Sequence, residues 1–302
     1  MLHIPLLAIL LLQGVAPPAC QWTRGVEIGK VEAPIAEDSG LAVSRKYPDR
    51  LYHVNDSGDI GRFFTTDLSG KNWRVIHVNG FEPHDAEDLG LGYCGGAADC
   101  VFIADIGDNS RKRKHVEFVA IEEKETFSPL VDPKYRVRMR YPDAIYNAES
   151  FAVHTNGDIF ILTKGGIPRL YRLRKDQWMS ANGKVQTLEF VTAIDFMKLG
   201  GPEAFVDWNL PTAMDISSDG KRLLVLTYRT AFEFYFDIAQ PLPPVAAWKA
   251  GRQYRRIDVE VLEQQEAVAY LPDALSFVYD TEKPQRGRAR IMRVACIPGT
   301  GQ

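Results

Sequence analysis

Long apolar stretches, clustered cysteine and histidine, and a strong excess of either charge are all missing from this 302-residue sequence. The 4 cysteines and 6 histidines are scattered rather than grouped in the close pairs that bind zinc. Lysine and arginine (36) nearly balance aspartate and glutamate (39), and the single basic cluster at 111–115 reads as a solvated loop, so no nucleic-acid partner is predicted. No run after residue 20 approaches the roughly 20 apolar residues of a transmembrane helix, so no membrane-spanning segment is predicted either.

The first 19 residues are predicted to be a secretory signal peptide, and residues 20–302 a single mature domain. Residues 4–12 form an almost unbroken apolar run that is too short for a membrane span and is followed by proline- and alanine-rich sequence. The expected location is therefore secreted or periplasmic. Cys20 follows the expected cleavage point, which leaves a lipid anchor on its sulfur as an open alternative.

A short motif recurs five times: an acidic or polar residue, then an apolar-small-apolar stretch that leads into a turn and a second apolar run. The copies begin at Ser39, Glu87, Glu149, Met214 and Glu266, and the fourth copy departs from the pattern with Met214 in the first position. Their spacing of 48 to 65 residues is long for a solenoid repeat and suits the blade of a β-propeller with loop insertions.

Four strands can be assigned to each repeat, which predicts an all-β, five-bladed propeller. The fifth repeat ends one strand short, and residues 26–33 alternate as an edge strand does. We therefore expect this N-terminal strand to pair with residues 290–296 and close the ring. A sixth blade would need strands hidden in residues 195–210, where glycine and proline interrupt the apolar residues, so a loop or lid is favoured there.

Two disulfides are expected in an exported chain. Cys94 and Cys100 flank a short turn between two predicted strands, which a hairpin can bridge. Ring closure would bring Cys20 to Cys296, and this pairing competes with lipidation of Cys20.

Blade geometry predicts where the polar residues converge. In a four-stranded antiparallel blade, the start of the inner strand and the end of the second strand lie on one face of the propeller. The predicted metal ligands on that face are Ser39, Asn55, Glu87, Asp105, Glu149, Asp215 and Glu266. The predicted substrate contacts are Lys164, Tyr228, Arg229 and Asp280.

Calcium is the cofactor that this set of residues favours. Several carboxylates around one axis repel one another unless a cation or raised pKa values relieve them. Oxygen ligands without a cysteine or histidine cluster suit Ca²⁺ better than Zn²⁺ or copper. The alternative is a hydrated channel without metal, in which Glu87, Glu149 and Glu266 pair with Lys164, Arg229 and water.

Several motifs together resemble those of a group of uncharacterised exported bacterial beta-propeller proteins, over nearly the whole mature chain. They are Glu37-Asp-Ser-Gly-Leu-Ala, His53-Val-Asn-Asp-Ser-Gly-Asp, Ala86-Glu-Asp-Leu, Ile103-Ala-Asp-Ile-Gly-Asp-Asn, Ala148-Glu-Ser-Phe, Met214-Asp-Ile-Ser and Gln265-Glu-Ala-Val-Ala. The acidic residues that open the inner strands are more distantly similar to those of the calcium-dependent propeller hydrolases: the apyrases, beta-propeller phytases and the gluconolactonase and paraoxonase class. This likeness implies calcium-dependent hydrolysis of phosphoesters or lactones.

Two functions remain open from the sequence. In the first, the protein is a calcium-dependent hydrolase of a small anionic substrate, with no catalytic residue assigned. In the second, the same mouth binds a glycan or a protein without catalysis, because propellers serve both classes.

Overall fold

The structure is a computed structural model that describes residues 20–32, 34–202, 205–282 and 288–298. The predicted signal peptide at 1–19 lies outside the described residues. Within these ranges, no helix has the length and apolar character needed to cross a membrane.

Five sheets of mainly antiparallel strands surround a central axis, which confirms the predicted five-bladed propeller. From the axis outward, blade 1 contains Asp38–Val43, Arg50–Asn55, Arg62–Asp67 and Arg74–Val78. Blade 2 contains Ala86–Tyr93, Asp99–Asp105, Val116–Glu122 and Tyr135–Arg140. Blade 3 contains Ala148–Val153, Ile159–Thr163, Arg169–Leu173 and Glu189–Ala193. Blade 4 contains Pro211–Ile216, Leu223–Thr227, Ala231–Phe234 and Tyr254–Ile257.

Short elements decorate the outer edges. Leu130–Val131 and Gln186–Thr187 add parallel to the outermost strands of blades 1 and 2. The one α-helix in the described ranges is Lys175–Met179, and two 3₁₀ turns span Val206–Asn209 and Val245–Ala247. No strand occurs among the described residues between blades 3 and 4, so the segment at 195–210 is a loop rather than a sixth blade.

Blade 5 joins the two ends of the chain. Its C-terminal part supplies Gln265–Tyr270, Ser276–Thr281 and Arg290–Pro298. Two N-terminal strands, Cys20–Trp22 and Val26–Lys30, pair antiparallel with Arg290–Pro298. The predicted closure is confirmed, because the N-terminal strands supply the outer strand that the C-terminal part of blade 5 lacks.

Both expected disulfides are present. Cys94–Cys100 bridges the hairpin between the two inner strands of blade 2, with 5.7 Å between the Cα atoms. Cys20–Cys296 links paired strands of blade 5, with 5.4 Å between the Cα atoms and 276 residues of separation. The sulfur of Cys20 is therefore in the disulfide, which is the alternative to a lipid anchor.

The apolar core lies between blades rather than at the axis. In the described part of the chain, five clusters of buried side chains each fill the space between two neighbouring blades. The inner strands of blades 1, 3 and 5 are buried along their whole length. Because both faces of a blade are covered, the inner strands hold the side chains at their ends in fixed positions around the axis.

Candidate functional site

The inner strand of each blade carries a β-bulge at the end where the chain enters it. The strand register shifts at one residue per blade: Ser39, Glu87, Glu149, Thr212 and Glu266. A bulge redirects the side chain that it carries. The bulge residues form a first ring at one mouth of the channel, as the hydrogen bond from Ser39 Oγ to the backbone oxygen of Glu87 illustrates (3.1 Å).

This register corrects the prediction for blade 4. The residue equivalent to Glu87 there is Thr212, and Asp215 lies three residues, or about 10 Å, further along the strand. The Asp215 carboxylate accepts hydrogen bonds from the backbone N–H groups of Ile216 (2.7 Å) and Tyr270 (2.8 Å), and burial raises its pKa to about 6. Asp215 thus links blades 4 and 5, and the structure places it away from the mouth, where it was expected to be a metal ligand.

A second ring comes from the residues that directly follow the second strand of each blade. These residues are Asp56, Ile106, Lys164, Tyr228 and Glu282. The two rings interlock, because Lys164 and Tyr228 of the second ring bond to Glu149 and Glu266 of the first. Around the mouth, the residues of both rings fall into two halves that differ in their balance of acidic and basic side chains.

Blades 3 to 5 form what we call the lysine half of the mouth: Glu149, Lys164, Tyr228 and Glu266. Lys164 Nζ donates to Glu149 Oε2 (2.6 Å) and to Tyr228 Oη (2.7 Å), and it lies 3.8 Å from Glu266 Oε1. Tyr228 in turn donates its hydroxyl proton to Glu266 Oε1 (2.6 Å). One cation thus serves two carboxylates, as expected for the channel without metal.

The partners in the lysine half shift one another's pKa values. Burial alone would lower the pKa of Lys164, but the charge of Glu149 outweighs it and raises that pKa. Burial, followed by a hydrogen bond to Glu282, raises the pKa of Glu266 to about 9, so its carboxyl holds a proton at neutral pH. The other oxygen of Glu149 accepts from Asn147 Nδ2 (3.0 Å), so both of its oxygens are engaged.

Blades 5, 1 and 2 form what we call the acid half: Glu37, Asp56, Asp85, Glu87 and Glu282. Two groups of three carboxylates share Asp56, and within each group one oxygen per residue lies within 4.8 Å of the others. Among the described residues, none of Asp56, Asp85 and Glu87 forms an ion pair with a basic side chain. Asp56 Oδ1 is buried and meets no hydrogen-bond donor in the same part of the chain.

Crowding in the acid half raises the pKa values of its carboxyls. Burial and the neighbouring Glu282 raise the pKa of Asp56 to about 7. Burial and the charge of Glu149 raise the pKa of Asp85, and the same two causes hold that of Glu87 well above its usual range. At neutral pH this half therefore needs either protons or a cation.

The backbone of Gly107 lies directly against two carboxylates of the acid half. A Cβ atom at this position would collide with Glu87 Oε1 and with the carboxylate of Asp85. The Gly107 N–H donates to the backbone oxygen of Asp85 (3.0 Å), and Arg113 Nη1 donates to the oxygen of Gly107 (2.7 Å). Only glycine lets the backbone approach the two carboxylates this closely.

Asn55 and Asp105 were expected to contribute ligands, and the structure instead places them behind the mouth. The carboxylate of Asp105 is held by two bonds from Arg113 (2.8 and 2.6 Å) and accepts the backbone N–H of Asp85 (2.9 Å). Asn55 donates to Asp59 Oδ2 (2.9 Å). Both side chains position the loops that carry Asp85 and Asp56.

The four expected substrate contacts are divided in the same way. Lys164 and Tyr228 lie at the mouth, within the lysine half. Arg229 is exposed and turns outward, with its guanidinium 4.6 Å from the ring centre of Trp208. Asp280 is fully buried beside Asp38 and His53, away from any position where a substrate could reach it.

Four residues of the acid half are not among the metal ligands predicted from the sequence: Glu37, Asp56, Asp85 and Glu282. Asp56 and Glu282 follow the second strands of blades 1 and 5, as Lys164 and Tyr228 follow those of blades 3 and 4. Aligning the repeats on the ends of the second strands would have selected them. Asp56 was hidden within Asn55-Asp-Ser-Gly, which reads as an ordinary turn.

No family model and no curated protein matches the sequence. Two solved structures are similar in fold. One is a nidogen/laminin complex, at 13% identity over 85% of this chain and 84% of that one, with a TM-score of 0.44. The other is a protein assigned as a gluconolactonase, at 9% identity over 94% of both chains, with the same TM-score. Both likenesses are distant, and the fold assignment rests on the strand pairing itself.

Proposed function

We propose that the protein is an exported propeller that binds a calcium ion in the acid half of its mouth and hydrolyses a phosphoester or a lactone there. The observation that carries the proposal is the pair of carboxylate triads sharing Asp56, without a basic partner on Asp56, Asp85 or Glu87 in the described residues. The two disulfides fit an oxidising compartment, which supports export and the removal of residues 1–19.

The donor set fits calcium. Asp56, Asp85 and Glu87 would hold the ion, with Glu37 and Glu282 beside Asp56. All are carboxylates, and hard oxygen ligands of this kind suit Ca²⁺. The buried oxygen of Asp56 that lacks a donor would gain a partner. Glu149 and Glu266, which were expected to bind the ion with Glu87, are already paired through Lys164.

When bound, calcium would polarise a phosphoryl or acyl oxygen and lower the pKa of a water molecule on it. The chain's own residues would do the rest from the lysine half. Lys164 keeps its positive charge and attracts an anionic substrate. Glu266 holds a proton at neutral pH and can release it to a leaving oxygen, while Tyr228 fixes the orientation of that carboxyl.

Calorimetry with calcium on the mature protein tests the ion site, and a panel of phosphoesters and lactones with and without EGTA tests the reaction. We expect calcium binding that Glu87→Gln weakens, and turnover that EGTA abolishes. Glu149→Gln is the matched control for binding, since it lies in the other half. Absence of calcium binding at millimolar concentration would remove the ion site and the hydrolase together.

One observation favours the second candidate, a glycan-binding module without catalysis. Beside the mouth, Phe205 is exposed and its ring centre lies 4.8 Å from that of Trp208, over which Arg229 stacks. Aromatic faces of this kind stack on sugar rings. Quenching of tryptophan fluorescence by a glycan panel, lost in Trp208→Ala, together with no turnover of any ester, would favour this function over the hydrolase.

A further inference from the structure

A second group of ionisable side chains lies below the mouth, where blade 5 meets blade 1. Asp38 and His53 come from the two inner strands of blade 1, and Asp280 comes from the second strand of blade 5. All three are fully buried, with at most 1% of each residue exposed. One ligand atom from each lies within 4.8 Å of the other two. We call this group the seam triad.

The imidazole of His53 is held in one tautomer. Thr66 Oγ1 donates its proton to the backbone oxygen of Asp67 (2.8 Å), so it must accept from His53 Nε2 (2.8 Å). His53 Nε2 therefore carries the proton. The lone pair on Nδ1 then faces Asp38 Oδ2, 2.5 Å away. Thr66 plays the part that an orienting partner plays for a metal-binding histidine.

The carboxylates of the triad lack donors. Among the described residues, neither oxygen of Asp280 meets a hydrogen-bond donor, and neither does Asp38 Oδ1. A bond between Asp38 and Asp280 forms only if one of them holds a proton. Burial raises the pKa of Asp38 to about 8 and that of Asp280 well above its usual range, while burial lowers the pKa of His53 to about 4. Two buried carboxyls with three unpartnered oxygens are costly unless something compensates them.

We propose that Asp38, His53 Nδ1 and Asp280 bind a divalent transition-metal ion of the zinc class at the seam of the ring. One neutral imidazole and two carboxylates around a 2+ ion make a neutral set, which suits a buried site. The nitrogen ligand distinguishes this site from the all-oxygen acid half, because imidazole suits zinc and its neighbours whereas calcium takes oxygen. The ion would join blade 1 to blade 5, so its role is structural.

The experiment is metal retention after refolding, because a fully buried site is filled as the chain folds. The mature protein with its disulfides is refolded with Zn²⁺ as the only added metal, dialysed against EDTA and analysed for zinc by mass spectrometry. We expect about one retained equivalent in the parent. Asp280→Asn and His53→Gln should retain less than about a tenth of that amount.

Two further variants sharpen the result. Asp56→Asn belongs to the acid half and should retain zinc as the parent does, so a failed calcium site and a failed seam site give different results. Thr66→Val removes the orienting partner of His53 and should weaken zinc binding about 10- to 100-fold.

Cobalt provides a measurement on the parent alone, in case Asp280→Asn does not fold. Refolding with Co²⁺ should give visible absorption bands of a low-coordinate nitrogen and oxygen site, and these bands should vanish when zinc is added during refolding. Parent protein that retains neither zinc nor cobalt would overturn the proposal, and the triad would then be a set of carboxyls sharing protons. Retention by Asp280→Asn equal to that of the parent would overturn it as well.

Discussion

The two halves of the mouth are built on the same backbone positions and differ in one cation. Both contain bulge carboxylates and residues that follow a second strand. In the lysine half, Lys164 of blade 3 compensates the charge of Glu149 from within the protein and lies beside Glu266. In the acid half the corresponding residue of blade 1 is Asp56, so the compensation must come from protons or from an ion. The fold therefore sets where charges gather, and single residues set whether the charge is already balanced.

Removing the cation of the lysine half should have the largest effect. Lys164→Met leaves Glu149 buried without its charge partner, and breaking a buried pair in this way costs about 3–5 kcal/mol of folding stability. Chemical denaturation in EGTA measures the loss. Lys198→Met is the control, because Lys198 pairs with Asp195 on the surface and should matter little. An equal loss in both variants would show that Lys164 does not balance its half. Added calcium should restore part of the stability of Lys164→Met, since both halves would then need a cation.

Removing one negative charge should have the second-largest effect, and its direction should differ between the two halves. Glu87→Gln should stabilise the calcium-free protein slightly and weaken calcium binding by about tenfold or more, about 1.4 kcal/mol. Glu149→Gln should instead destabilise the protein, because Lys164 loses its shortest partner, and should leave calcium affinity nearly unchanged. Calorimetry on the two variants measures the affinities. If Glu149→Gln weakens binding as much as Glu87→Gln does, the ion spans both halves.

The pH dependence of stability should show the protons that the halves hold. The pKa values of Asp56 (about 7) and Glu266 (about 9) in the fold lie above those of unfolded carboxyls, so the folded state binds more protons. Their contribution is greatest below pH about 4 and is lost as pH rises through these values. In EGTA, the free energy of unfolding should therefore fall between pH 5 and pH 9. Urea denaturation at pH values about one unit apart measures this fall.

Calcium should flatten the part of this pH profile that comes from the acid half. Asp56→Asn should flatten the same part without calcium. A stability that rises between pH 5 and 9 in EGTA would contradict the assignment of protons to these carboxyls.

The smallest effect is expected outside both halves. Arg229 stacks on Trp208 and contacts neither Lys164 nor Glu266 in the described residues, so Arg229→Ala should change stability by less than about 0.5 kcal/mol. Calcium affinity should be unchanged. Whether Arg229 binds substrate, as the sequence suggests, would show as a rise in KM for an anionic ester. A loss of calcium binding in this variant would mean that the outer groove and the mouth are coupled.

The sequence predicted the architecture because the signals for it are repeated. The number of blades is indicated by five copies of a motif, by the hairpin turns and by the missing last strand. The site was predicted only in part, because its residues are not repeated as types. In blade 4 the sequence motif matches at Met214-Asp, whereas the bulge lies at Thr212, which no acidic residue marks.

The other site residues that the sequence did not predict lie in loops. Asp85 belongs to the acid half because Asp105 and Gly107 hold its loop against Glu87, and such a contact between loops leaves no period in the sequence. The outward turn of Arg229 onto Trp208 is likewise a tertiary contact. Even with correct strands, the direction of a side chain after the strand end depends on neighbours that are distant in sequence.

The closure of blade 5 has a consequence for the order in which the molecule assembles. The strands at residues 20–30 are synthesised first, yet their partner, Arg290–Pro298, is the last strand in the described part of the chain. Contacts of such separation carry a high cost in loop-closure entropy and form late. Blades 1 to 4 can therefore fold while residues 20–30 are still unpaired and able to pair with other chains. We therefore expect oxidation of Cys20 with Cys296 to follow the pairing of these strands, so the appearance of that bond in a time course should report completion of the ring.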